Sequence, residues 1–174
     1  PQIGLNVTLR ELRDRAFRDR LLFDLERLGL SAPDLAIEIL ESALIENDDD
    51  PVLQRVTRLS RSGFRIDLDD FGTGHASLSN LQRLAVDRIK IDRAFIRDLP
   101  AKPDLRKVTI AMIHLARSLG ITALAEGVET DDERRLIAEL GVHQMQGFAL
   151  GRPMPAGDVP DWLHARTGRA VSAA

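Results

Sequence analysis

Seven polar residues stand at or just beyond the ends of short apolar runs, and their side-chain types suit one kind of chemistry. Asn6 lies at the end of the run Ile3 to Val7 and Glu38 near the end of Leu35 to Leu40. Asp69 and Asp70 follow Phe64 to Leu68 directly, Lys90 sits within Arg88 to Ile91, Glu126 follows Ile121 to Ala125, and Gln146 belongs to Val142 to Leu150, which Gly147 interrupts. With no Cys in the chain and no His at these positions, the available ligands are oxygens. Such a set selects a hard cation, so Mg²⁺ or Mn²⁺ fits better than Zn²⁺. Adjacent Asp69 and Asp70 can serve two ions about 4 Å apart if one carboxylate bridges them, the arrangement used for in-line displacement at phosphorus. Each residue also has a plainer reading. A lone Asp after a strand is usually a cap or turn residue, Lys90 alone could be a snorkelling surface lysine, and Gln146 a loop amide. Glu38 resists that reading, because Leu35, Ala36, Ile37, Ile39 and Leu40 surround it, and a carboxylate there is costly unless it is paired or bound to a cation.

The elements that carry these residues follow from the pattern between the runs. The six runs start roughly 20–35 residues apart, the size of one strand plus one crossover helix. Thr8-Leu-Arg-Glu11 is a capping box opening a helical region that runs with a break to Leu28-Gly29, and Thr130-Asp-Asp-Glu133 is a second, leading through Leu136, Ile137 and Leu140 to Gly141. Asp50-Pro51 supplies an N-cap and a first-turn proline ahead of Val52, Val56 and Leu59. Val108, Ala111, Met112, Leu115 and Leu119 form a helical stripe ended by Gly120. Alternating strands and helices imply a parallel sheet covered on both faces, built either as an open doubly wound sheet or as part of a (β/α)₈ barrel. Polar residues at the C-terminal ends of successive parallel strands converge on one face, where barrel active sites are built.

Composition narrows the function classes. The chain has 174 residues, with 24 Lys+Arg against 27 Asp+Glu interleaved along it, so no broad positive face is available for polymeric nucleic acid or an anionic membrane. The absence of Cys removes disulfides and thiolate chemistry and fits a reducing compartment. No apolar run approaches the roughly 18 residues of a membrane span, and no signal-peptide pattern opens the chain, which reads as cytoplasmic. Gly-x-Gly-x-x-Gly and Gly-x-x-x-x-Gly-Lys are both missing. Of the four histidines, His75, His114, His143 and His164, none falls at a strand-end position.

Asp69-Asp-Phe-Gly-Thr-Gly74, Ile89-Lys-Ile-Asp92 with Phe95, Ala125-Glu-Gly-Val-Glu-Thr130, and Gln146-Gly-Phe with Gly151-Arg-Pro-Met154 occur in that order, preceded by Asn6 and by Glu38-Ile-Leu-Glu41. This ordered set, from about residue 3 to residue 163, resembles the signature of the bacterial EAL domain. The resemblance implies a TIM-like (β/α)₈ barrel, here with about six βα units, that hydrolyses cyclic di-GMP to linear pGpG with two Mg²⁺ or Mn²⁺ ions. It further implies that Asn6, Glu38 and Asp69 ligate the first ion, that Asp69 bridges to a second held with Asp70, and that Glu126 acts as a base or metal-linked carboxylate. Lys90 would orient the attacking water, Gln146 would be a supporting amide, and Glu41 and Glu129 would brace the loop after Asp70. On this reading residues 1–166 form a partial barrel domain and 167–174 a flexible C-terminal tail.

Three departures stand out. The Glu-Ala-Leu strand of the family, expected upstream of the Asn6 strand, has no counterpart, so two βα units of a barrel of about 250 residues are expected to be missing. Leu40 replaces a Thr before Glu41, and His143 stands where Asp is common. A catalytically inactive receptor of the same ancestry is therefore the competing function, and a metal-dependent lyase or isomerase barrel a third. A barrel short of two strands should expose sheet edges and an apolar interior. These would be covered by the missing segment, by a second copy of the chain in a homodimer, or within a longer protein fused to sensory or cyclase domains.

Overall fold

Each apolar run becomes a strand that pairs in parallel with the next strand in the chain. The computed structural model describes residues 2–44, 51–74, 81 and 85–170. Its elements are β1 (Ile3–Asn6), α1 (Leu9–Arg13), α2 (Phe17–Arg27), β2 (Leu35–Leu40), α3 (Pro51–Arg61), β3 (Arg65–Phe71), β4 (Arg88–Ile91), α4 (Pro103–Ser118), β5 (Thr122–Ala125), α5 (Asp131–Glu139), β6 (Gln144–Met145) and α6 (Val159–Ala170). The sheet order is β1-β2-β3-β4-β5-β6, and the six strands curl into a half-barrel with helices between them. Both capping boxes form as read: Thr8 and Thr130 each accept from the backbone of the residue three positions on, while Glu11 and Glu133 reach back. Asp50 lies outside the described residues, and Pro51 is the first residue of α3. α6 runs to Ala170, so helix overlaps the range expected as tail.

The helix-covered face of the sheet holds the core. Ile37, Ile39, Ile66, Leu68, Ile89, Ile91, Ala123 and Ala125 alternate onto it and pack against Leu12, Leu25, Val56, Leu59, Ile113 and Ile137. The register fixes what lies on the opposite, inner face: Asn6 sits beside Glu38, Glu38 beside Asp67, Asp67 beside Arg88, and Lys90 beside Leu124. This corrects the expectation of an apolar interior. The inner face is dominated by charges that satisfy one another. Arg88 Nε donates to Asp67 Oδ2 at 2.9 Å, its Nη2 bonds the same oxygen, and its Nη1 reaches Gln144 Oε1 at 2.7 Å. That network ties β3, β4 and β6 together beneath the strand ends.

Two further expectations shift. In α4 the buried positions are Thr109, Ile113 and Ala116, while Val108 is 43% exposed. Thr109 can be buried because its hydroxyl donates to the carbonyls of Phe95 and Leu105, at 2.9 and 3.0 Å, so the apolar stripe turns by one position. The last strand shortens to Gln144–Met145. At Gly147 the backbone takes φ 154° and lies so close to the Val128 backbone that a Cβ would overlap it, which ends the extended run.

Candidate active site and metal centre

Adjacent residues of a regular strand face opposite sides, so Asp69 and Asp70 could not ordinarily serve one site. β3 solves this with an irregularity. Its register against β4 shifts between Leu68 and Phe71, and Asp70 adopts φ 54°, a left-handed conformation uncommon outside glycine. The strained turn brings ligand oxygens of Asp69, Asp70 and Glu126 within 4.8 Å of one another. Glu38 joins them through Lys90, which rises from β4 into their midst. Lys90 Nζ lies 2.7 Å from Glu38 Oε2, 2.9 Å from Glu126 Oε1 and 3.1 Å from Asp69 Oδ1.

Electrostatics follow from this crowding. Burial opposes the charge on Lys90, but the hydrogen bonds and charges of Glu126 and Glu38 outweigh it, and its pKa is raised. Burial raises the Glu126 pKa, Lys90 pulls it back, and Asp69 and Glu38 add to the rise. Asp70 is raised by burial first, then by the charges of Asp69 and Asp92. Carboxylates pushed toward protonation in this way gain most from a cation, and the donors are all oxygens, so the cluster fits a hard divalent metal ion.

Room for Glu38 comes from Gly4 on the neighbouring strand, where a Cβ would overlap the Glu38 carboxylate. Asn6 is exposed at the end of β1, beside Glu38 in register. Gln146 is exposed, its backbone N–H donating to Ala125 O at 2.8 Å, and its side chain lines a cleft of about 340 Å³ with Asp70, Asp92, Arg93, Glu126 and Glu129. Glu41 is buried in a 3₁₀ turn, Glu41–Leu44, and its Oε2 accepts the N–H groups of Gly72 and Gly74 at 2.8 and 3.2 Å, which holds the loop after Asp70. Glu129 lines the cleft, and its own N–H donates to Glu133 Oε2 at 2.9 Å. His114 is exposed and His75 lies outside the described residues. His143 Nδ1 accepts the Ala123 N–H at 3.1 Å, closing the gap between β5 and β6.

Two residues carry more than the sequence reading gave them. Asp92 faces Asp70 across the cleft, and the signal was present in the Lys90-Ile-Asp92 spacing, which puts both side chains at one strand end. Glu133 is more than a cap: its Oε2 accepts from Glu129 and Thr130 N–H at 2.9 and 3.0 Å, and its Oε1 from Asp98 N–H at 3.0 Å. It thereby ties the loop after β5, which carries Glu126, to the loop after β4. Burial works against the Glu133 charge, but these backbone donors prevail and its pKa is lowered. A carboxylate with a lowered folded pKa contributes stability above its unfolded value, lost as pH falls through the folded one. Glu133→Gln is therefore expected to cost about 1–3 kcal/mol at pH 7. In urea titrations that difference should shrink as the pH drops below about 4.5, the ordinary Glu value; a difference that holds constant down to pH 3 contradicts the assignment.

Comparison with known proteins identifies the family. Residues 1–153 match the EAL domain. The chain belongs to the EAL domain family. This EAL domain is 34% identical over 169 residues to PdeR of Escherichia coli (strain K12), named a cyclic di-GMP phosphodiesterase, covering 97% of this chain and 25% of that protein. It is 38% identical over 154 residues to MucR of Pseudomonas aeruginosa, named a bifunctional diguanylate cyclase/cyclic di-GMP phosphodiesterase, covering 88% and 22%. A solved complex of the MucR phosphodiesterase with c-di-GMP superposes with a TM-score of 0.85 at 37% identity, covering 91% of this chain and 64% of that one. The manganese and c-di-GMP complex of Klebsiella pneumoniae BlrP1 gives 0.81 at 30% identity, covering 87% and 39%. The EAL domain described here thus spans about a quarter of the length of these curated relatives. Its half-barrel is part of a TIM-like fold, and among the described residues no helix is long and apolar enough to cross a membrane.

Proposed function

We propose that this EAL domain hydrolyses cyclic di-GMP to linear pGpG. The observation that carries the reading is the convergence of Glu38, Asp69, Asp70 and Glu126 around Lys90 at one end of the sheet. Asn6, Glu38, Asp69 and Asp70 would hold two divalent ions, Mg²⁺ or Mn²⁺, with Asp69 shared between them. When bound, such ions supply a nucleophile at neutral pH and absorb charge on the phosphate oxygens.

The chain's own groups have defined parts in the reaction. One P–O bond to a ribose 3′ oxygen breaks as water adds to the same phosphorus; the water must lose a proton and the departing 3′ oxygen must gain one to leave as a hydroxyl. Glu126 stands beside the cluster with its proton affinity raised by burial, which suits a proton acceptor. Lys90 remains charged and presents donors toward the space between Asp69 and Glu126, where it can orient the attacking water. Gln146, with Glu129 and Asp92, lines the cleft in which substrate would lie. Glu41 fixes the loop that follows Asp70 and so its left-handed turn.

Within a longer protein we expect this domain to be joined to others and to work in the bacterial cytoplasm, where a fractionation experiment should recover it. The deciding assay is incubation of that protein with cyclic di-GMP and Mn²⁺: pGpG should appear and be suppressed by a chelator. Binding with no pGpG would identify a receptor instead. Gly4→Ala provides a finer check, because it crowds only the end of the Glu38 side chain. Turnover is expected to fall about tenfold while stability changes by less than about 1 kcal/mol. Unchanged turnover would remove Glu38 from the site.

A further inference from the structure

Lys90 is 5% exposed and reaches three carboxylates at once, on β2, on β3 and after β5. Arg88, the half-buried cation two residues earlier on β4, is committed to Asp67 and Gln144. Three carboxylates from different parts of the sheet therefore converge on one ammonium; two of them, Glu38 and Asp69, are proposed ion ligands, and the third, Glu126, lies with Asp69 and Asp70 in the acidic cluster. We propose that Lys90 is a positioning residue that sets the divalent-ion affinity of the site: it gathers Glu38, Asp69 and Glu126 as their shared counter-cation and gives them up only to a stronger one.

The inference rests on the metal-site reading and concerns affinity rather than turnover. A divalent ion approaching Asp69 and Glu126 meets a like charge held about 3 Å from the same oxygens. Each of the Glu38, Asp69 and Glu126 carboxylates that it draws in is drawn away from Lys90. A lysine held among carboxylates carries its ordinary positive charge at neutral pH, so the competition persists there. Removing the charge then has two effects of opposite sense. Without metal, the carboxylates repel one another with no counter-cation and the fold weakens. With metal, the competitor is gone and the ion binds more tightly. A lysine that merely oriented ligands would weaken metal binding when lost, and one that only filled space would leave affinity unchanged.

The test uses Lys90→Met in the full chain without substrate. In EDTA its melting temperature should fall below that of the wild type. By calorimetry with MnCl₂ its Mn²⁺ dissociation constant should drop on the order of tenfold, as expected for loss of one close like charge. Its rise in melting temperature at saturating Mn²⁺ should exceed that of the wild type. Mn²⁺ binding that is weaker or unchanged, or an unaltered melting temperature in EDTA, overturns the proposal. Should the variant not fold, the wild type decides. The chain has three lysines, and Lys102 and Lys107 are exposed, so the ¹⁵Nζ signal of the buried Lys90 is distinguishable. That signal should move on saturation with Mg²⁺, and a stationary signal refutes displacement. A wild type that binds Mn²⁺ but makes no pGpG sinks the phosphodiesterase reading and leaves this inference standing; one that binds no Mn²⁺ sinks both.

Discussion

Asp69→Asn is expected to lower pGpG formation at saturating Mn²⁺ by about a thousandfold. The substitution keeps the side-chain volume and an oxygen able to accept the Asp70 N–H, a bond of 3.0 Å, so the bulged strand retains its local support. What disappears is one anionic oxygen from a cluster whose ligand atoms lie within 4.8 Å, and from the assigned bridge between two ions. Metal-ion charge stabilisation contributes several kcal/mol to such a barrier, and about 1.4 kcal/mol corresponds to each tenfold in rate, which sets the size of the effect. Product chromatography measures it, and a melting curve beside it confirms that the variant is folded. Activity within tenfold of the parent would end the two-ion assignment. His114→Ala, on the exposed face of α4, serves as the control and should be silent.

Arg88→Leu should produce the largest loss of stability, about 3–5 kcal/mol at pH 7, the usual cost of removing one partner from a buried ion pair. Asp67 is fully buried, and its Oδ1 has no partner among the described residues, so Arg88 carries nearly all of its compensation. Burial already raises the Asp67 pKa, with the Arg88 hydrogen bond and charge opposing. A carboxyl whose folded pKa is raised favours the fold below its unfolded value, and that contribution fades as pH rises through the folded value. Removing Arg88 lifts the folded pKa further, so the deficit of the variant should be small in acid and full at pH 7. Urea titrations at both ends read this directly. Replacing both residues, Asp67→Leu with Arg88→Leu, should recover most of the loss; a double variant as unstable as Arg88→Leu alone would show that the charge is not the cause.

The sequence made the frame readable because local signals and burial agreed there. Leu35 to Leu40 and Arg88 to Ile91 are strands at the residues read, and Thr8/Glu11 and Thr130/Glu133 are capping boxes, since each depends on neighbours within a few positions. The candidate site residues Glu38, Asp69, Asp70, Lys90 and Glu126 do meet at one end of the sheet. What escaped the reading depends on partners far along the chain. Asp67 hides within an apolar run, and its presence makes sense only once Arg88, 21 residues later, is placed on the adjacent strand. The polar inner face was missed for the same reason, as were the three carboxylates around Lys90. The buried face of α4 moved by one position because Thr109 found, besides the Leu105 carbonyl within its own helix, that of Phe95, 14 residues upstream and outside the helix.

The sheet order has a bearing on how the chain assembles during synthesis. Strand order equals chain order, and no register pair is further apart than Arg88 and Thr122, a span of 34 residues. Each βα unit can therefore dock as it emerges, with little loop entropy to overcome. The acids arrive first: Glu38 on the second strand and Asp69 on the third both precede Lys90 on the fourth. Until β4 docks, Glu38, Asp67 and Asp69 face one inner surface without Arg88 and Lys90, and the arrival of β4 offsets most of that charge and adds the next strand in the same event. Nascent three-strand intermediates of this half-barrel should consequently be held open by their own charge, which delays premature closure until the cations are in hand.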